Sequence, residues 1–210
     1  MTEGRRRTPP NNEEKRTQPT WWMDEPRNQA LIEIGERVLR IAVGEVADRY
    51  TTRAQMAIGA GAVEAMKLGS EVLDTSHLLL GLLADPSSVA SKLLAGHGIK
   101  YNKAKKIVVG DAGRTRSLGR KELPGQMTAG ARRALIGTAL AAKNLHHHYR
   151  GTEHVLLSLM ALRGTDVVQN VFKETQVTEG DIRSSAITLL TYSVPEEFRR
   201  NEPRLSPSVY

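Results

Sequence analysis

The sequence contains no cysteine, which excludes both a disulfide framework and a thiolate zinc site. Aromatic residues make up only 4% of it. A core must therefore come from Leu, Val, Ile, Ala and Met, a set that favours packed helices over sheets rich in aromatic and β-branched residues. No apolar run approaches the roughly 20 residues of a membrane-spanning helix, and the charged N-terminus leads into no apolar segment of the secretory type. These absences predict a soluble protein of the cytoplasm. There is no Gly-x-x-x-x-Gly-Lys-[Ser/Thr] loop to cradle phosphates, and no sequence context that marks a serine nucleophile. The expectation is a protein with no catalytic residues, no metal site and no cofactor.

What is present is a repeat. Asp74-Thr75-Ser76-His77-Leu78-Leu79-Leu80-Gly81-Leu82-Leu83 returns 77 positions later as Gly151-Thr152-Glu153-His154-Val155-Leu156-Leu157-Ser158-Leu159-Met160. In each copy Thr precedes an aliphatic run and reads as a helix N-cap. Leu79, Leu82 and Leu83, like Leu156, Leu159 and Met160, are spaced for one buried helical face. Such self-similarity implies a duplicated unit. The segment opening at Thr51-Thr52-Arg53-Ala54 likewise returns, at the same offset, around Thr128-Ala129-Gly130-Ala131.

With 210 residues, 40% of them hydrophobic, the chain holds one sizeable core or two small ones. It divides as follows. Residues 1–25 form a polar arm that cannot bury enough apolar surface to order itself; its one sticky point is Trp21-Trp22, a pair suited to docking a partner or folding back on the domain. Residues 26–49 carry a helical stripe of Leu31, Ile34, Val38 and Ile41 that has no counterpart before the second copy. This extra helix is suited to covering a face or to forming a homodimer. The first repeat spans 50–109 and the second 127–192, each predicted as four helices. Between them, 110–126 is a Gly-containing basic linker, and 193–210 is a loose tail. The expected fold is all-α, two tandem four-helix repeats related by a pseudo-twofold. Gly59-Ala60-Gly61-Ala62, inside a helical pattern, marks a close helix contact.

These residues carry a resemblance. Thr51-Thr52-Arg53-Ala54-Gln55, Glu64-Ala65-Met66-Lys67-Leu68-Gly69 and the two Thr-x-His helices resemble the Clp N-terminal domain, the double repeat at the front of the Clp unfoldases, with Gly-Thr-Glu-His looking closest to ClpC. The resemblance implies a non-catalytic interaction protein of the Clp protease system, like the short proteins that carry this domain without ATPase modules. Its implied partners are Clp unfoldase or protease components, their substrates or their adaptors, with clients either delivered or held back. It further implies pockets for phosphorylated arginine, one per repeat: Thr128, Thr152 and Glu153 in the second, and Thr51, Thr75, Asp74 and Ser76 in the first, where Ser76 stands in place of the glutamate. The net charge of +7, with Lys100, Lys103, Lys105, Lys106 and Arg114, Arg116, Arg120, Lys121, supports an alternative as a nucleic-acid-associated regulator. No aromatic residues interleave these charges to stack bases. His77 and His154 read as half-buried hydrogen-bonding residues; the imidazoles of His146-His147-His148 suit zinc or nickel, but neighbouring side chains in a loop between helices need not converge, and the run reads as structural.

Overall fold

The computed structural model describes residues 25–44, 49–111, 122–162 and 167–190. The Trp21-Trp22 arm and the tail after 190 lie outside them. Nine helices run through the described residues: α1 (Glu25–Val43), α2 (Thr52–Lys67), α3 (Thr75–Ala84), α4 (Val89–Gly96), α5 (Tyr101–Asp111), α6 (Ala129–Asn144), α7 (Thr152–Ala161), α8 (Val167–Thr175) and α9 (Glu179–Leu190). Helices α2–α5 form the first repeat and α6–α9 the second, with α1 added in front. The only strands among the described residues are two-residue segments, β1 (Val72–Leu73) and β2 (Gln126–Met127), paired in parallel.

Helices α2 and α6 begin alike because equivalent threonines cap them, and they end in the same turn. Thr51 accepts from the Ala54 N–H at 3.2 Å, and Thr128 from the Ala131 N–H at 3.1 Å. At the other ends Ser70 N–H reaches Ala65 O at 2.9 Å and His147 N–H reaches Ala142 O at 3.0 Å, the closing bond of a Schellman turn. The residue before each, Gly69 or His146, is left-handed.

Helices α3 and α7 are the two halves of the core. Every residue of α3, and every residue of α7 from Thr152 to Met160, is buried. A short helix that is apolar nearly all round is stable only inside such a shell. Each packs antiparallel on the helix before it: the Gly81 backbone meets Ala57 and Gly61, and that of Gly61 meets His77 and Leu78. In the second repeat Ser158 donates to Ala134 O at 2.6 Å. The close contact expected of Gly59-Ala60-Gly61-Ala62 is what the structure has, since Gly59 lies against Leu31 O of α1 and Gly61 against α3.

The pseudo-twofold is legible in single hydrogen bonds. Thr128 N–H donates to Leu73 O at 2.9 Å, and Thr51 N–H donates to Arg150 O at 3.0 Å. Exchanging the repeats at the 77-residue offset converts one bond into the other. Leu73 pairs with Met127, and the bridge between Tyr50 and Arg150 is the same pair with the repeats exchanged.

Helix α1 lies across α2 and buries Leu31, Val38, Leu39 and Ala42. Two expectations fail here. The helix stops at Val43 rather than near Arg49, because Gly44 adopts φ +75° and donates back to Arg40 O. Ile41, expected in the buried stripe, is 43% exposed; Leu39, which the spacing also places on that stripe, is buried, and Ala42 joins it on the inner face. Part of the linker is also structured: its end supplies β2, while residues 112–121 lie outside the description.

Candidate functional site

Thr75 and Thr152 do not cap their own helices. The N-cap of α3 is Asp74, whose carboxylate accepts from His77 N–H at 3.1 Å and from Ser76 Oγ at 2.6 Å. The N-cap of α7 is Gly151, which has no side chain to offer. Thr152 is buried, and its hydroxyl accepts from Ala90 N–H at 3.2 Å, fastening α7 to the start of α4 in the other repeat.

The two helix heads keep one carboxylate in a related place by different means. In the first repeat it comes from the cap position, and Asp74 Oδ1 lies 3.0 Å from His77 Nδ1. In the second it comes from two residues later, and Glu153 Oε1 lies 3.2 Å from His154 Nδ1. A Cβ on Gly151 would stand 2.3 Å from Glu153 Oε1, so the space that Asp74 fills in one repeat is filled by Glu153 in the other. Asp74 with Ser76 and Gly151 with Glu153 are alternative solutions to one packing problem. In both, the imidazole Nδ1 accepts a backbone N–H, from Asp74 at 3.2 Å or from Gly151 at 2.8 Å.

The two carboxylates differ in exposure and charge. The Asp74 side chain is 40% exposed. Partial burial pushes its carboxyl up, but the bonds it accepts from Ser76 Oγ and the His77 backbone N–H outweigh that and hold it below its ordinary value. Glu153 is 2% exposed. Its burial, opposed only by hydrogen bonds from its own N–H and Thr152, pushes the carboxyl up to about 7. Glu153 Oε1 makes no hydrogen bond despite its nearness to His154, because Nδ1 spends its lone pair on Gly151 N–H and carries no proton to give. Burial, and then the nearby His147, push His154 down to about 3, so that ring is neutral.

The grouping expected within each repeat is not the one found. Antiparallel packing sets Thr128 and Glu153 at opposite ends of the α6–α7 hairpin; at 1.5 Å per residue, the 16-residue α6 separates its ends by roughly 24 Å. Thr51 and Thr75 are likewise at opposite ends of the α2–α3 hairpin. The bridging hydrogen bonds instead bring Thr128 beside Leu73-Asp74, and Thr51 beside Arg150-Gly151. Each candidate site is therefore composite: Thr128 with Asp74, Thr75 and Ser76, and Thr51 with Gly151, Thr152 and Glu153. Only the first presents an accessible carboxylate next to an exposed helix start, since Thr128 is exposed and Thr51 buried. The pattern of matched residues could not disclose this, because it carries no information on which helix ends meet.

The family model for the Clp repeat (R) N-terminal domain matches residues 49–160. The negative regulator of genetic competence ClpC/MecB of Bacillus subtilis is 31% identical over 142 residues, covering 68% of this chain and 17% of that protein. The chain spans 15–17% of the length of the curated relatives it matches. Among solved structures, the N-terminal domain of ClpD from Arabidopsis thaliana aligns with TM-score 0.57 and 24% identity over 71% of this chain and 99% of that one. The ClpV N-domain in complex with a VipB peptide aligns with TM-score 0.55 and 14% identity over 70% of this chain and 90% of that one. The fold, its internal exchange symmetry and these matches together place the chain in the Clp repeat N-terminal domain family.

Proposed function

We propose that this chain is a non-catalytic docking module of the Clp proteolytic system that binds clients or adaptors, and that its contact site is the composite one at Asp74 and Thr128. The observation that carries the proposal is the Thr128 N–H to Leu73 O bond of 2.9 Å, which sets the exposed start of α6 beside an ionised, partly exposed carboxylate. A helix start offers unpaired N–H groups and a partial positive charge to a phosphate, and Gly130 in that first turn leaves the backbone open to close approach. A carboxylate takes a guanidinium through charge-assisted hydrogen bonds. A phosphorylated arginine combines both groups in one side chain. In the other composite site the helix cap Thr51 and the carboxylate of Glu153 are both buried, so its ligand would have to displace packed groups. The solved complex of the ClpV N-domain with a VipB peptide supports peptide docking as a use of this fold.

Titration of an arginine-phosphorylated peptide, with the unmodified peptide as control, tests the proposal. The wild type is expected to bind the phosphorylated form. Asp74→Asn is expected to weaken it at least about tenfold, the equivalent of one charge-assisted bond of about 1.4 kcal/mol. Glu153→Gln is expected to change it by less than about threefold, or roughly 0.65 kcal/mol, because Glu153 is buried away from the Asp74–Thr128 site. Wild-type affinity in Asp74→Asn rejects the assignment.

A further inference from the structure

The loop between α6 and α7 carries three consecutive histidines to the head of α7. His147 Nδ1 lies 2.8 Å from His154 Nε2, with the rings edge-on. Tyr149 stacks on His147 at 4.9 Å between centroids and meets His154 edge-on, which holds both imidazoles in place. Beside His154 Nδ1, at 3.2 Å, stands the buried Glu153 carboxylate with its unpartnered Oε1. Donor atoms of His147, Glu153 and His154 all fall within 4.8 Å of one another.

The sister repeat supplies a control. At the positions of His146 and His147 it has Gly69 and Ser70, and the turn is the same. The fold therefore does not require these histidines. One of them is costly: His146 adopts φ +57° where Gly69 adopts +72°, a left-handed conformation that costs a side-chain-bearing residue about 1–2 kcal/mol. Non-glycine residues held in such conformations cluster at functional sites.

We propose that His147 and His154 are ligands of a divalent transition-metal ion, zinc by preference, with Glu153 orienting His154. In the metal-free arrangement His154 carries its proton on Nε2 and shares it with His147 Nδ1. On binding, that proton leaves Nε2, the ring is protonated at Nδ1 instead, and Nδ1–H donates to Glu153 Oε1, so the ring stays neutral. The metal takes the place of the shared proton. Metal–nitrogen bonds of about 2.0–2.1 Å at a tetrahedral angle need the two nitrogens roughly 3.4 Å apart, a separation of about half an ångström more than they have. Carboxylate, imidazole and metal then form the arrangement that fixes tautomer and ring orientation in known histidine sites. The remaining coordination positions adjoin a groove of about 880 Å³ lined by His146, His148, Arg49, Lys143 and Arg150. The three permanent cations oppose a bare dication and favour one whose further ligand is anionic.

The test uses the tag-free full chain without peptide, titrated with Zn²⁺ by calorimetry and with Co²⁺ by its visible d–d bands. One equivalent of saturable binding is expected, with a Co²⁺ spectrum of imidazole coordination. His147→Ser, which installs the sister repeat's residue, is expected to weaken binding at least tenfold while leaving the circular dichroism unchanged. Glu153→Gln is expected to weaken it about 10–100-fold, the usual cost of losing an orienting partner, and ¹⁵N spectra should show the His154 proton move to Nδ1 with Zn²⁺. No saturable uptake overturns the proposal. So does unchanged affinity in His147→Ser, which would put the ion on the exposed His146 and His148.

Discussion

Gly81→Ala is expected to destabilise the protein by at least about 3 kcal/mol, the upper end of overpacking costs. At the α2–α3 crossing a Cβ on Gly81 would stand 2.2 Å from Ala57 O and 2.5 Å from Gly61 N. Both obstacles are backbone, so neither can swing aside as a side chain would. The helices would have to move apart, and α3 is the most enclosed element of the first repeat. Gly96→Ala is the matched control. Nothing lies within 4 Å of its Cβ position, and it sits at the end of α4, so the same substitution is expected to be neutral or to stabilise slightly through lost unfolded-state entropy. Urea denaturation of both variants separates the two. Equal, small effects would show that α2 and α3 do not touch through their backbones.

The second large effect is expected at Glu64, a buried acid where α2 faces α5. Its carboxylate accepts from Tyr101 Oη at 2.7 Å, Lys67 Nζ at 2.9 Å and Lys105 Nζ at 3.0 Å. Glu64→Ala is expected to cost about 2–3 kcal/mol, because it leaves the buried Tyr101 hydroxyl without an acceptor, while the part-exposed lysines regain water. Burial alone pushes this carboxyl up; the bonds from Lys67, Tyr101 and Lys105 and the Lys67 charge outweigh it, and the folded-state value falls below the ordinary 4.5. A depressed carboxyl binds fewer protons folded than unfolded, so its stabilisation is complete above that ordinary value. It is lost as pH falls through the lower folded value. The stability difference between wild type and Glu64→Gln should therefore be constant from pH 7 to pH 5 and shrink below pH 4. A difference that grows on acidification would contradict the ion-paired reading.

The duplication was legible in the sequence because both signals it needs are one-dimensional. A constant offset and aliphatic spacing survive without any knowledge of where the helices go. The capping pairs Thr51-Thr52 and Ser87-Ser88 mark helix starts for the same reason, although only the structure shows that Thr51 and Ser88 are the members that cap. At Asp74-Thr75 two capping residues stand side by side, and propensity cannot choose between neighbours; the carboxylate's reach to His77 N–H decided it. The exchange of Asp74 with Ser76 for Gly151 with Glu153 was legible only in part: Asp74 stands two positions before the residue that replaces the glutamate, but only the fold shows both carboxylates reaching the same imidazole position. The composite sites were beyond sequence altogether, since they depend on the parallel bridges at Leu73–Met127 and Tyr50–Arg150. Lys105, read as part of a basic face, is instead tied to Glu64.

The central claim is that the docking site is shared between repeats, and a double-mutant cycle on Asp74 and Thr128 measures it most directly. With Asp74→Asn, Thr128→Val and the double variant titrated against one arginine-phosphorylated peptide, groups serving a single ligand should be coupled by about 0.5–3 kcal/mol. Strictly additive losses, or coupling of Thr128 to Glu153 in place of Asp74, would contradict the account.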